Sequence, residues 1–255
     1  MLGSYPHLCY DALLSSLSDA SGLMVVATPY ELGTDHDAIA TETQRKLRAT
    51  LSAVAVRDDY DVNMPLFGLG HSLGAKLQVL LACRGGAQRA AVLLAFNNAS
   101  ATDSVRVLEQ FARAFLQDGR AAGRGVSDAV LAAMPFISAA AERAASAAGL
   151  NFTPGPPETL QRATAEYVVR RCLMIAFDND TLHHSSDLAL ALQSRKETIE
   201  LLTRPGNHLT PVVVTLSPPE ELSQLTGSLP QRVGDEAAAR QLGVDIAQWL
   251  TRAAM

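Results

Sequence analysis

Cysteine is scarce in this chain: three among 255 residues, Cys9, Cys83 and Cys172. They lie far apart, form no Cys-x-x-Cys pair and are odd in number. That excludes a disulfide framework and points to a reducing compartment. No apolar run approaches the roughly 18–20 residues that a membrane-spanning helix needs. Lys and Arg form no run that would track a phosphate backbone or a membrane surface, and the net charge of −5 with a pI near 5.7 leaves no electrostatic footprint for nucleic acid. The first fourteen residues lack a basic stretch followed by a long apolar one, so a secretory signal is not expected, and no plastid or mitochondrial transit peptide is visible. A processed mature protein would look the same.

What is present is a globular composition, with 48% hydrophobic residues. That amount and length suit one core, a single α/β domain with an insertion. Strand and helix patterns alternate along the chain. Apolar residues at helical spacing over 8–17 are broken by Gly22. A β-branched run over 23–28 stops at Pro29, and 37–56 has the pattern of a long amphipathic helix. Apolar runs at 65–69, 90–96, 171–177 and 198–202 have the character of buried strands. Helices are expected at 73–83 and 235–253. This alternation predicts an α/β fold, a mostly parallel sheet covered on both faces. The Ala-rich stretch 105–150 is far longer than a crossover requires. It is expected to be a helical cap inserted into a core made of 1–104 and 151–255, with residues 151–158 leading back into that core.

The pentapeptide Gly70-His71-Ser72-Leu73-Gly74 follows an apolar strand and opens a helix. That strand–turn–helix context is what a nucleophile elbow needs. The turn is strained and strand and helix pass closely, so the residues two before and two after the serine must be small; Gly70 and Gly74 are. The N–H of Leu73 is then placed to donate to a developing oxyanion. The bland alternative is that Ser72 merely caps the helix.

An acid and a base are expected downstream, each in a loop after a strand, in that order. Asp178 and Asp180 follow the strand over 171–177, and His208 follows the strand over 198–202. His208 is the expected base. Asp180 is the expected acid because it lies farther beyond its strand, with Asp178 left to brace the turn. His71 sits on the elbow, and its side chain is expected to face away from the serine. His183 and His184 are too close to Asp180 to come from the last loop. The run Asp178, Asp180, His183, His184 matches no zinc or iron spacing, so no metal and no cofactor are expected.

Several separate motifs together resemble one family. They are Ala27-Thr28-Pro29-Tyr30-Glu31-Leu32-Gly33-Thr34-Asp35-His36, Gly68-Leu69-Gly70-His71-Ser72-Leu73-Gly74-Ala75-Lys76, Phe96-Asn97-Asn98, Asn151-Phe152-Thr153-Pro154, Asn179-Asp180-Thr181-Leu182 and Pro205-Gly206-Asn207-His208-Leu209-Thr210-Pro211. They resemble an uncharacterised plant, algal and cyanobacterial branch of the α/β-hydrolases, catalogued as a domain of unknown function. The resemblance spans about residues 2–211. It implies the α/β-hydrolase fold and a chloroplast or cyanobacterial setting, and it implies no substrate. It also singles out Asp35 and His36 as a possible substrate contact or support on the rim of the serine, against a helix cap by Asp35. His71 is carried as a further contact of that kind.

Members of that family begin with a strand and a Gly-rich turn, of which only Met1-Leu2-Gly3-Ser4 stands here. The expectation is a shortened chain whose sheet lacks a central strand between residues 23–28 and 65–69. An empty lane there would mark that outcome, and direct pairing of the two would mark a rearranged sheet. Two functions follow. One is a serine hydrolase or acyltransferase acting on a small-molecule or lipid-like ester, thioester or amide. The other is a catalytically idle binding or assembly module, with a protein partner, linked to photosynthetic membranes.

Overall fold

The computed structural model describes residues 2–58, 61, 64–105, 149, 151–193, 198–216 and 231–254. The expected cap therefore lies almost wholly outside the described residues. The sheet that organises the rest is parallel throughout: β1 (Leu66–His71), β2 (Gln88–Leu94), β3 (Arg171–Phe177) and β4 (Thr198–Arg204), in that spatial order. Each strand pairs with the next, as Val92 with Leu69 and Leu173, and Ile175 with Leu202; the β1–β2 register shifts once, between Leu66 and Phe67. A two-stranded antiparallel ribbon of β5 (Val214–Leu216) and β6 (Gln231–Val233) stands apart. The sequence reading did not contain it.

Alternate residues of a strand face opposite sides, and both sides of the two inner strands are apolar. Val92, Leu94, Leu173, Ile175 and Phe177 pack with Leu13, Leu17, Ile246 and Trp249. Those come from α2 (Asp11–Ser21), preceded by the single turn α1 (Pro6–Cys9), and from the C-terminal helix Glu236–Ala254. On the other face, Leu93 and Met174 pack with Val79, Ala163, Tyr167 and Leu188. Here the helices are α4 (Leu73–Cys83), α5 (Pro156–Glu166) and α6 (Ser185–Leu192), followed in chain order by α7, the helix Glu236–Ala254. The long α3 (His36–Asp58) lies on α4 through Ala40, Leu77, Leu80 and Leu81. The α/β class expected from the sequence holds.

Two expectations need correction, and two helices were not anticipated. The run 198–202 forms β4 but is not buried: it stands at the edge of the sheet, and Leu201 and Leu202 are each 39% exposed. The return to the core expected over 151–158 ends in helix α5: Pro156 and Pro157 occupy its first turn, where a missing N–H costs nothing. Helix α6 was not anticipated. The β-branched run 23–28 is not a strand. Side-chain preference makes such a run extended, but a strand exists only through its ladder, and no described strand lies against it. Leu23 packs on the core and its carbonyl accepts from Ser18, while Met24 and Val25 are exposed at 39% and 36%. Among the described residues β1 pairs on one side only, with β2. The direct pairing of 23–28 with β1 is therefore not found.

Candidate active site

Strand β1 runs two residues farther than the apolar run suggests and carries Gly70 and His71 into the ladder opposite Leu93 and Leu94. The Ser72 N–H extends that ladder to the Leu94 carbonyl at 2.9 Å. The chain then reverses within one residue. Ser72 has φ 55° and ψ −120°, a conformation that L-residues rarely hold. Its carbonyl already accepts from Ala75 at 3.0 Å and Lys76 at 3.3 Å, the first turn of α4. The crossing is tight: a Cβ on Gly70 would lie 2.5 Å from the carbonyl carbon of Gly74 and 2.6 Å from the N of Ala75. Only glycine fits.

The Ser72 hydroxyl makes no cap to its own helix. It lies 2.9 Å from His208 Nε2 instead, and His208 Nδ1 lies 2.8 Å from Asp180 Oδ2. The structure thus brings together the three side chains that the sequence singled out. Each is set by local chemistry. Beyond β3, the Asp178 N–H bonds to the Arg204 carbonyl and the Asn179 N–H to that of Gly206, stitching the loop after β3 to the loop after β4. Asp178 braces this junction by accepting from the Gly206 N–H at 3.0 Å. Asp180 turns inward and also accepts from the Leu182 N–H at 2.8 Å. His208 stands on a turn closed by Thr210 N–H to Asn207 O, with the Asn207 side chain accepting from Leu209 N–H.

Asp180 and His208 are only 6% and 5% exposed. Burial alone would raise the Asp180 pKa; the His208 hydrogen bond and charge, together with the Leu182 N–H, outweigh it and hold the carboxyl below its ordinary value. An ionised carboxylate only accepts, so Nδ1 carries a proton toward Asp180, and in the tautomer with that proton alone Nε2 accepts from Ser72. A hydroxyl bonded to an imidazole nitrogen whose ring a buried carboxylate holds is an arrangement suited to proton removal from the hydroxyl. Leu73 opens α4, so its N–H has no carbonyl partner within the helix.

The remaining candidates sit elsewhere. Asp35 is an exposed helix cap, accepting from the Ala38 N–H at 2.8 Å. His36 is 2% exposed, tilted against Phe152 at 4.4 Å between ring centres, and its Nδ1 has no partner among the described residues. Burial, then the charge of Lys76, bring its pKa down to about 4 against the opposing pull of Asp35 and Asp37. Lys76 was not singled out. It is 1% exposed, donates to the Pro154 carbonyl at 2.9 Å, and burial lowers its pKa to about 8. Its signal was present as the one charged residue of a largely apolar helix. His184 accepts from the Asn98 N–H and His183 from that of Ser185.

His71 departs from expectation. It does not face away from the site: its Nε2 lies 2.8 Å from the His208 main-chain oxygen and its Nδ1 2.9 Å from the Tyr10 hydroxyl. No sequence signal marked Tyr10, which sits at the break between α1 and α2. Tyr30 also reaches the elbow, its hydroxyl 3.9 Å from where a Cβ on Gly74 would stand, and its ring is so close to Gly3 that a Cβ there would collide with it. The Tyr30 N–H bonds to the Gly3 carbonyl at 2.8 Å, so the short N-terminal turn is beside the elbow.

Among the described residues no helix is long and apolar enough to cross a membrane. No curated protein matches the chain. Solved structures similar to it include a thermostable carboxyl esterase from Bacillus coagulans, at 12% identity and TM-score 0.44, over 86% of this chain and 73% of that one. A Bacillus cereus carboxylesterase matches at 10% identity and TM-score 0.43, over 96% and 82%. The type II thioesterase BorB of the borrelidin biosynthetic cluster matches at 16% and TM-score 0.40, over 90% and 76%. At these identities and scores they say nothing of what this chain acts on. The family model of DUF1350, proteins of unknown function, matches residues 1–225, and the chain belongs to that family.

Proposed function

We propose that this DUF1350 member is a serine hydrolase that cleaves an ester, thioester or amide through an acyl-enzyme. The observation that carries the reading is the hydrogen bond from Ser72 to His208, backed by Asp180. Ser72 Oγ attacks the substrate carbonyl as His208 Nε2 takes its proton. The negative charge formed on the carbonyl oxygen is met by the Leu73 N–H at the start of α4, aided by the helix dipole. As the tetrahedral intermediate collapses, the imidazolium gives its proton to the leaving oxygen, sulfur or nitrogen, and the acyl group stays on Ser72. Water, deprotonated by the same nitrogen, then releases the acid and restores the serine. An acceptor alcohol, thiol or amine in place of that water would make the protein an acyltransferase with the same parts. Asp180 keeps the imidazole oriented and stabilises its charged form.

A fluorophosphonate probe tests this directly on the full chain. The wild type is expected to label and Ser72→Ala to remain unlabelled, while Asp180→Asn labels slower by roughly 100- to 10,000-fold, the scale on which a misoriented imidazole loses activity. Labelling that does not depend on Ser72, or none at all, would sink the catalytic reading and leave a hydrolase fold used for binding.

A further inference from the structure

Ser72 and His208 belong to loops that follow the two outermost strands of the sheet, β1 and β4. At about 4.8 Å per strand, those strand ends stand roughly 14 Å apart. The His208 loop must therefore reach back across β3 and β2 to meet the elbow. The Ser72–His208 hydrogen bond cannot by itself keep it there, because Ser72 Oγ loses its proton on attack and carries the acyl group afterwards. A second tie, between the same two loops and outside the reacting atoms, is present. His71, the residue before the nucleophile, has its ring 5.0 Å from that of His208 and its Nε2 at 2.8 Å from the His208 carbonyl.

We propose that His71 is a positioning residue that holds the His208 loop over the elbow through a hydrogen bond to the His208 main chain, with Tyr10 fixing the tautomer that makes the bond possible. The proposal rests on reading Ser72 and His208 as the working pair. A carbonyl only accepts, so the proton of His71 must be on Nε2; Nδ1 then accepts, and the Tyr10 hydroxyl supplies the proton it accepts. The ring is buried at 8% exposure, and its main chain is paired in the β1–β2 ladder, so the donor is fixed in place. Burial and the positive charge of His208 bring the His71 pKa down to about 3, against the opposing effects of the His208 carbonyl and of Asp180. The neighbouring ring thus stays neutral while His208 takes and returns a proton, and the tie persists in the acyl-enzyme.

The test uses the full chain and a fluorophosphonate, comparing His71→Leu, His71→Gln and Tyr10→Phe. Leucine removes the donor, whereas the glutamine amide nitrogen can restore it. His71→Leu is expected to label 10- to 100-fold slower, the range that a displacement of about 1 Å costs, and His71→Gln to recover to within about threefold of wild type. Recovery by glutamine separates positioning from mere core packing. Long-range ¹H–¹⁵N correlation of the wild type is expected to show His71 neutral with its proton on Nε2 from pH 8 to about 4.5, and Tyr10→Phe is expected to move the Nδ1 resonance. Should His71→Leu fail to fold, the glutamine and Tyr10→Phe variants and the spectrum decide. A wild type that does not label in a Ser72-dependent way sinks the serine reading and this proposal with it. A labelling wild type, matched in rate by His71→Leu or showing His71 protonated on Nδ1, overturns the proposal alone.

Discussion

The backbone of Ser72 makes its own prediction, separate from chemistry. At φ 55° and ψ −120° any residue with a Cβ is strained, and such positions cost on the order of 1–3 kcal/mol. Glycine does not carry that strain. Two variants, Ser72→Gly and Ser72→Ala, each remove the hydroxyl and its bond to His208, so that loss cancels between them. Glycine also adds roughly 0.5–1 kcal/mol of unfolded-chain entropy, which works against it. The difference leaves Ser72→Gly more stable than Ser72→Ala by about 1 kcal/mol. For a domain of this size that is about 2–4 °C in Tm. This inverts the usual order, in which alanine outranks glycine. Thermal unfolding of the two purified variants by circular dichroism, at neutral pH and equal concentration, measures it. If Ser72→Ala melts at or above Ser72→Gly, the chain does not turn here as described, and the elbow reading loses its physical basis.

Gly70→Ala places a methyl against the main chain of Gly74 and Ala75, atoms that cannot rotate away. A loss of roughly 2–4 kcal/mol is expected, read as a lower urea midpoint with an unchanged slope; a midpoint equal to that of wild type would mean that strand and helix do not cross so closely. Acid is the other lever. The unfolded chain binds a proton at His36 below about 6.5, while the folded one resists until about 4. Stability therefore falls as pH drops through that window, by at most about 1.4 kcal/mol per unit for this residue. His71 acts in the same sense, down to about 3, and Asp180, held low in the fold, adds a loss as pH falls through the carboxylate range. Urea unfolding between pH 7 and 4.5 is expected to show the decline, less steep in His36→Gln; a flat profile in the wild type would refute the burial of neutral imidazoles.

The extent to which the site was legible follows from where its information lies. Ser72, Asp180 and His208 were found because each stands at the end of a strand, and strand ends are marked by a change from apolar run to turn residues. Local sterics marked Gly70; the same demand at Gly74 is not met, because a Cβ there would touch only the Tyr30 hydroxyl at 3.9 Å among the described residues. The run 23–28 misled because β-branched residues report a preference for extended backbone, and whether a partner lies alongside is a tertiary fact. Helix α5 was hidden by its prolines, which read as loop unless their place in the first turn is known.

Sequence alone determined the parallel α/β core, since strands buried on both faces must be apolar throughout and helices must cover them. It also singled out Ser72, Asp180 and His208, in that chain order, as the side chains to look for at the strand ends. Only the tertiary structure decided which polar groups lose water together. Asp35 caps a helix while His36 is shut away beside Lys76, and His71, one residue from the serine, bonds to the main chain of a residue 137 positions on. No local pattern encodes that last contact, because a backbone carbonyl is present at every residue. Folding alone selects which one the imidazole meets.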